Sequence, residues 1–136
     1  MIYSFLQNGD SAVTVQFKNE ISEEVNRRVT GLCNRIEAKH IDGIVELVPT
    51  FASLTVFYDC TIISSKKLKK KVEALINGKE CDVKSTAKVW NIPVCYDDEF
   101  ALDMKNVCSH TTLEREEVIK LHTSKPYLIY MLGFLP

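Results

Sequence analysis

Ile44-Val45-Glu46-Leu47-Val48-Pro49-Thr50-Phe51-Ala52-Ser53-Leu54-Thr55-Val56-Phe57-Tyr58 is the stretch on which the fold turns. Residues 44–48 form an apolar run of strand length, stopped by Pro49-Thr50. Residues 53–58 alternate, with Leu54, Val56 and Tyr58 on one face. A period of two is the mark of a half-buried strand. Only four residues separate Val48 from Ser53. A link that short predicts an antiparallel hairpin, because parallel neighbours need a long crossover.

Upstream, Val13, Val15 and Phe17 alternate with Thr14 and Gln16, which predicts another half-buried strand. A short apolar run at 2–6 precedes it across the turn signal Gly9-Asp10 and can pair as an additional strand. Between that strand and the hairpin, Ile21, Val25, Val29, Leu32, Cys33 and Ile36 recur every three or four residues. They predict a helix with one apolar stripe. Glu20, Glu23 and Glu24 near its start and Lys39 and His40 near its end complement the helix dipole, and Asp42-Gly43 is read as its terminator.

Downstream, Ser64-Ser65 reads as the cap of a second helix whose stripe is Leu68, Val72, Leu75 and Ile76, closed by Asn77-Gly78. Residues 87–94 alternate once more and predict a strand, at an edge or a strand end because of Pro93. Strand, helix, strand, strand, helix, strand is the split β-α-β pattern. The expected class is therefore α+β: a ferredoxin-like domain over 1–92, two helices on one face of an antiparallel sheet.

From 93 onward the character changes. Tyr96-Asp97-Asp98-Glu99-Phe100 is an acidic loop, and Asp103 is placed to cap a short helix through Met104, Val107 and Cys108. Thr111-Thr112-Leu113-Glu114 resembles a capping box before a helix with Val118, Ile119 and Leu121, broken at Lys125-Pro126. The apolar run 127–135 predicts a strand buried on both faces. Two short helices and one strand do not close a core. Residues 93–136 are thus expected to be the first part of a second domain, cut where that domain begins. The uncovered strand would favour self-association.

The 136 residues are 46% hydrophobic and 26% charged, an ordinary globular balance. Seventeen basic and 18 acidic residues leave a net charge of −1, with no global pull toward nucleic acid or an anionic membrane. No apolar run approaches the ~20 residues of a membrane-spanning helix. The N-terminus lacks a basic region and reaches Asp10 too soon for a signal peptide, so the cytoplasm is the default expectation. Five cysteines (33, 60, 81, 95 and 108) are widely spaced. That count and spacing disfavour a disulfide framework or a zinc site, and the cysteines read as small apolar fillers, Cys33 and Cys95 best of all.

Among chemistry-bearing features, the lysines at 66, 67, 69, 70 and 71 lie on a helix whose apolar stripe is intact, and read as a solvated face. Asp97, Asp98, Glu99 and Asp103 lack the ligand spacing of a calcium loop. His122 lies beside Leu121 and one turn after Val118, just before the helix break. It reads as a satisfied core histidine, the leading view on the residues alone, or as an acid/base at a helix end facing a cleft. His40 and His110 read as solvated. Phosphate-binding glycine loops, a G-x-S-x-G elbow and an H-E-x-x-H helix are all absent from the sequence.

Several blocks in order carry a resemblance: Gly9-Asp10-Ser11-Ala12; Glu46 to Leu54, ending in Tyr58-Asp59; Ile92-Pro93-Val94-Cys95-Tyr96, with Phe100 and Asp103; Glu116 to Thr123; then Tyr127 and Tyr130-Met131-Leu132-Gly133-Phe134-Leu135-Pro136. Together they resemble the family that holds the B-type subunit of 5-oxoprolinase (PxpB), the KipI inhibitors of sporulation kinases, and proteins labelled allophanate hydrolase subunit 1. Asp97-Asp98 and Ala101 stand where many members carry glycine. The resemblance implies a ferredoxin-like N-domain followed, over 93–136, by the beginning of a cyclophilin-like β-barrel of carboxyltransferase type. It implies a non-autonomous enzyme component that, with C-type and A-type subunits and ATP, opens 5-oxoproline to L-glutamate. His122 is carried over as the catalytic residue, with Tyr130, Gly133 and Phe134 shaping the substrate site and no metal. The resemblance also offers a KipI-like protein that binds a sensor histidine kinase and blocks its autophosphorylation, and, less favoured, a carboxyltransferase-like domain acting on a urea-derived substrate.

Overall fold

The computed structural model describes residues 3–77 and 88–133. They fall into two compact units, 3–77 with 129–133, and 88–128.

In the first unit, β1 (Ser4–Asn8), β2 (Ala12–Gln16), β3 (Ile44–Pro49) and β4 (Ser53–Tyr58) form one sheet in the order β1-β2-β4-β3, with every neighbouring pair antiparallel. The hairpin read from 44–58 is present, and Thr50 closes its turn by donating its backbone N–H to Ser53 O at 2.7 Å. One irregularity bulges β3 between Ile44 and Glu46. The extra residue, Val45, is left exposed, as expected where two residues oppose one.

Helices α1 (Glu23–Lys39) and α2 (Ser65–Ile76) supply the second layer. Val25, Val29, Leu32, Cys33 and Ile36 of α1 and Leu68, Val72 and Ile76 of α2 are buried against Val13, Val15, Phe17, Leu54, Val56 and Tyr58. The alternating and 3.6-period patterns thus meet in one core. Ile21, assigned to the same stripe in the sequence, lies outside α1 and is exposed. Helix α1 stops at His40 in the left-handed region (φ 43°), ahead of the expected Asp42-Gly43; Gly43 (φ 91°) instead starts the turn into β3. Ser64 caps α2, its hydroxyl accepting the Lys67 N–H, and Asn77 is its C-cap. On the opposite sheet face, the Thr14 and Thr55 hydroxyls share a 2.8 Å hydrogen bond, and Asn8 Nδ2 donates to Thr14 Oγ1 at 2.6 Å. That pairing explains a nearly buried threonine in β2.

Two expected strands do not form. Residues 88–94 join no ladder, and Val89, Trp90 and Ile92 are exposed. The edge of β2 that a closing strand would pair with is held by β1. Alternation alone cannot make a strand without a partner to take its backbone hydrogen bonds. Residues 127–133 likewise carry no strand; Phe134, Leu135 and Pro136 of that expectation lie outside the described residues, as do Gly78, Cys81 and Ala87.

The second unit contains α3 (Met104–Thr111) and α4 (Arg115–Thr123). Asp103 sits at the N-cap of α3, though its side chain makes no capping bond. Thr111 belongs to α3, donating to Val107 O at 2.7 Å, and Thr112 (φ 57°) ends it. The capping box therefore falls three residues later than expected: the Glu117 carboxylate accepts the Glu114 N–H at 3.0 Å. No described side chain of 88–128 is buried. Among the described residues, no helix is long and apolar enough to cross a membrane.

Candidate functional site

His122 lies in the last turn of α4, where the 3.6 period sets it seven residues, two turns, from Arg115 on the same face. That face meets the loop at 96–98. The Tyr96 hydroxyl and His122 Nδ1 share a short hydrogen bond, with the two rings edge-to-face at 5.8 Å between centroids. Tyr127 covers the imidazole from another side at 5.7 Å, and Lys125 Nζ lies 5.9 Å from the Tyr127 centroid. Arg115 holds the loop with two nitrogens: Nη1 donates to Asp98 Oδ1 at 2.6 Å, and Nη2 donates to the Tyr96 carbonyl.

His122 is exposed, not a core residue. Its apolar neighbours mislead the structural reading because α4 has no core to enter: Val118 and Ile119 are only half-buried, and Leu121 is exposed. The arrangement leaves an imidazole with one nitrogen engaged and the ring held among aromatic neighbours. Such a group can hold or pass a proton, or donate a hydrogen bond, at its other nitrogen.

Tyr130 belongs to the first unit, where its carbonyl accepts from Asn26 Nδ2 of α1 at 2.9 Å and the residue is half-buried. Gly133 is exposed, and a Cβ there would make only an ordinary 3.5 Å contact with Met131. Phe134 lies outside the described residues. Tyr96 and Arg115 are not among the site residues expected from the sequence. The seven-residue spacing of Arg115 and His122 is the signal that could have found Arg115. Tyr96 belongs to a block that carries the resemblance, but nothing in the sequence gives it a role.

Among the described residues, no three His, Cys, Asp or Glu side chains gather as a metal site. Of the cysteines, Cys33 is buried as expected, whereas Cys95 is exposed, since 88–94 forms no strand to bury it. Burial pushes the Cys33 thiol pKa up, with the nearby Glu37 carboxylate adding to the effect.

Residues 3–136 match the family described as carboxyltransferase domain, subdomain C and D. The chain belongs to that family. It is 39% identical to the B-type subunit of 5-oxoprolinase from Bacillus subtilis (strain 168), over 98% of this chain and 60% of the relative. It matches the crystal structure of TTHA0988 with a TM-score of 0.72 at 32% identity, covering 92% of this chain and 24% of that one. It also matches PH0987 of Pyrococcus horikoshii with a TM-score of 0.53 at 36% identity, covering 98% of this chain and 61% of that one. The chain thus spans about three-fifths of the length of the Bacillus relative. The α+β class and the carboxyltransferase-type relationship stand on these matches together.

Proposed function

We propose that the chain is part of a B-type subunit of an ATP-dependent 5-oxoprolinase, a non-autonomous component that opens 5-oxoproline to L-glutamate together with C-type and A-type subunits in the cytoplasm. The observation that carries the reading is the 39% identity to the B-type subunit of the Bacillus 5-oxoprolinase across nearly the whole chain. In this reading His122 is the catalytic residue at the ring amide, and Tyr130, Gly133 and Phe134 shape the pocket once the subunits assemble. The architecture is a ferredoxin-like domain over 1–92, with β1 occupying the sheet edge where a closing strand would otherwise pair, followed over 93–136 by the beginning of a cyclophilin-like domain.

ATP, which supplies the activation of the amide when bound, is not suited by either of two clefts among the described residues. The cleft of about 270 Å³ beside β3 is lined by apolar side chains, His40 and the carboxylates of Glu37 and Glu46, which repel phosphate. The cleft of about 350 Å³ at α3 is lined by apolar side chains and Asp103. ATP is assigned to the assembled complex, and the contribution proposed for this chain is to bind and polarise the ring amide.

The test mixes the full-length protein with its C-type and A-type partners, ATP and 5-oxoproline, and measures glutamate. Wild type forms glutamate. His122→Ala loses about 10²-fold or more of that rate, the scale of a lost proton-transfer or oxyanion-stabilising group. No glutamate from wild type, together with lost autophosphorylation of a sensor histidine kinase on adding the protein, would replace the enzyme reading by the kinase-inhibitor one.

A further inference from the structure

Resting on that assignment of His122, we infer that Tyr96 and Arg115 are positioning residues that hold His122 in its Nε2–H tautomer, so that the site presents a hydrogen-bond donor rather than a base. The Tyr96 hydroxyl and Nδ1 share one hydrogen bond, so one of them donates. A phenol O–H, with an ordinary pKa of about 10, is a good donor and its oxygen a poor acceptor. A neutral imidazole nitrogen is a good acceptor. The better donor and better acceptor pair when Tyr96 donates and Nδ1 accepts. A neutral imidazole carries one proton, which then sits on Nε2.

The bond needs the loop that carries the phenol held in place, and Arg115 holds its backbone. A single guanidinium spans the carbonyl of residue 96 and the carboxylate of residue 98. The planar fork sets two points of the loop at once, as a lysine ammonium cannot. Arg115 and His122 share one helix, so their spacing is fixed by helix geometry. Tyr127 lies against another side of the ring and limits its rotation. Nε2 has no hydrogen-bond partner among the described residues.

An N–H donor recognises an oxygen. On a lactam ring that is the carbonyl oxygen, where negative charge develops as the carbon is attacked or the oxygen is activated. The ring N–H, itself a donor, would find no acceptor here. His122 is thereby assigned a polarising role.

Long-range ¹H–¹⁵N imidazole spectra of the full-length protein test this above the imidazole titration, with the exposed His40 and His110 as references within the same molecule. His122 is expected as a single Nε2–H tautomer. Tyr96→Phe and Arg115→Ala should each move it toward the ratio shown by His110, with the backbone amide spectrum otherwise retained; Arg115→Lys should restore it only partly. In the assembled enzyme, Tyr96→Phe should lower kcat roughly threefold to tenfold, the worth of one hydrogen bond, with KM little changed. A wild-type His122 with the tautomer ratio of His110, or with its proton on Nδ1, would overturn the inference, as would an unchanged ratio in Tyr96→Phe. A locked tautomer in a protein that forms no glutamate would remove the enzyme reading and leave this one standing.

Discussion

Gly43 and Gly9 both sit at positive φ, yet replacing each by alanine should give quite different losses. Gly9 has φ +59° and open space where a Cβ would go. Gly9→Ala therefore carries only the left-handed backbone penalty, about 1 kcal/mol. Gly43 has φ +91°, and a Cβ there would lie 2.7 Å from Ile63 Cγ2 and 3.1 Å from Ile62 Cγ2. Ile62 is 61% exposed and can swing away, but Ile63 is 4% exposed and sits in the core. Overpacking a filled site adds about 1–3 kcal/mol, so Gly43→Ala should lose about 2–4 kcal/mol in all. The backbone cannot drift freely to relieve the clash, because Gly43 O accepts the Asp59 N–H at 2.7 Å where β3 meets β4. Urea unfolding followed at the amides of the β2–β4 ladder measures both variants. With a slope of about 2 kcal/mol per molar, the midpoint should fall by about 1–2 M for Gly43→Ala and about 0.5 M for Gly9→Ala. Ile63→Leu removes the offending Cγ2 and should recover part of the Gly43→Ala loss in the double variant. Equal losses at the two glycines, or strict additivity with Ile63→Leu, would refute the steric argument.

Three further outcomes follow from local geometry. His40→Gly, which removes a Cβ from the left-handed C-cap of α1, should raise stability by about 0.5–1 kcal/mol, read as a higher urea midpoint. The Asp59 carboxyl is held below the ordinary range by the Thr61 hydroxyl first and the Thr61 N–H second, against a small opposing effect of desolvation; a lowered folded-state pKa gives stability that is present above the unfolded value and lost as pH falls through the folded one, and Thr61→Val should bring the ¹³C-detected titration only part of the way back, since the backbone donor remains. Alkylation followed by mass spectrometry should label exposed Cys60 and Cys95 readily and Cys33 only on unfolding; because the Cys33 pKa is raised, its contribution is full below the unfolded thiol value and is lost as pH rises toward the folded one.

The first unit is legible in the sequence because each pattern has a partner. Val13, Val15 and Phe17 alternate toward the same core that the stripe Val25, Val29, Leu32 and Ile36 faces, so period and burial agree. The misses have more than one cause. Residues 88–94 and 127–133 carry strand-like patterns, but a strand is a relation between two segments: β1 already holds the edge of β2 that 88–94 would pair with, and 127–133 join no ladder among the described residues. His122 and Cys95 resemble core residues by their apolar neighbours, in a unit where no described side chain is buried. The site is legible only in part: the resemblance singles out His122, while the roles of Tyr96 and Arg115 depend on the loop folding back onto α4.

With no buried side chain in 88–128, polar contacts must set the geometry of the site. The Arg115–Asp98 pair is worth little, under about 1 kcal/mol, because Asp98 is 89% exposed. The bond from Arg115 to the Tyr96 carbonyl is partly buried and charge-assisted, and so is the stronger restraint. Helix α4 does not depend on either, since the Glu117 carboxylate caps its first turn on its own. Arg115→Ala should therefore free the loop at 96–100 while sparing the helix. Amide exchange at Phe100 and Ala101, whose N–H groups donate to Asp97 O, should quicken, while Val118, donating to Glu114 O, keeps its protection. Equal loss at both sets would mean that Arg115 supports the whole unit. Unchanged exchange at both would mean that the loop is held without it, leaving Tyr96 to meet His122 by its own backbone alone.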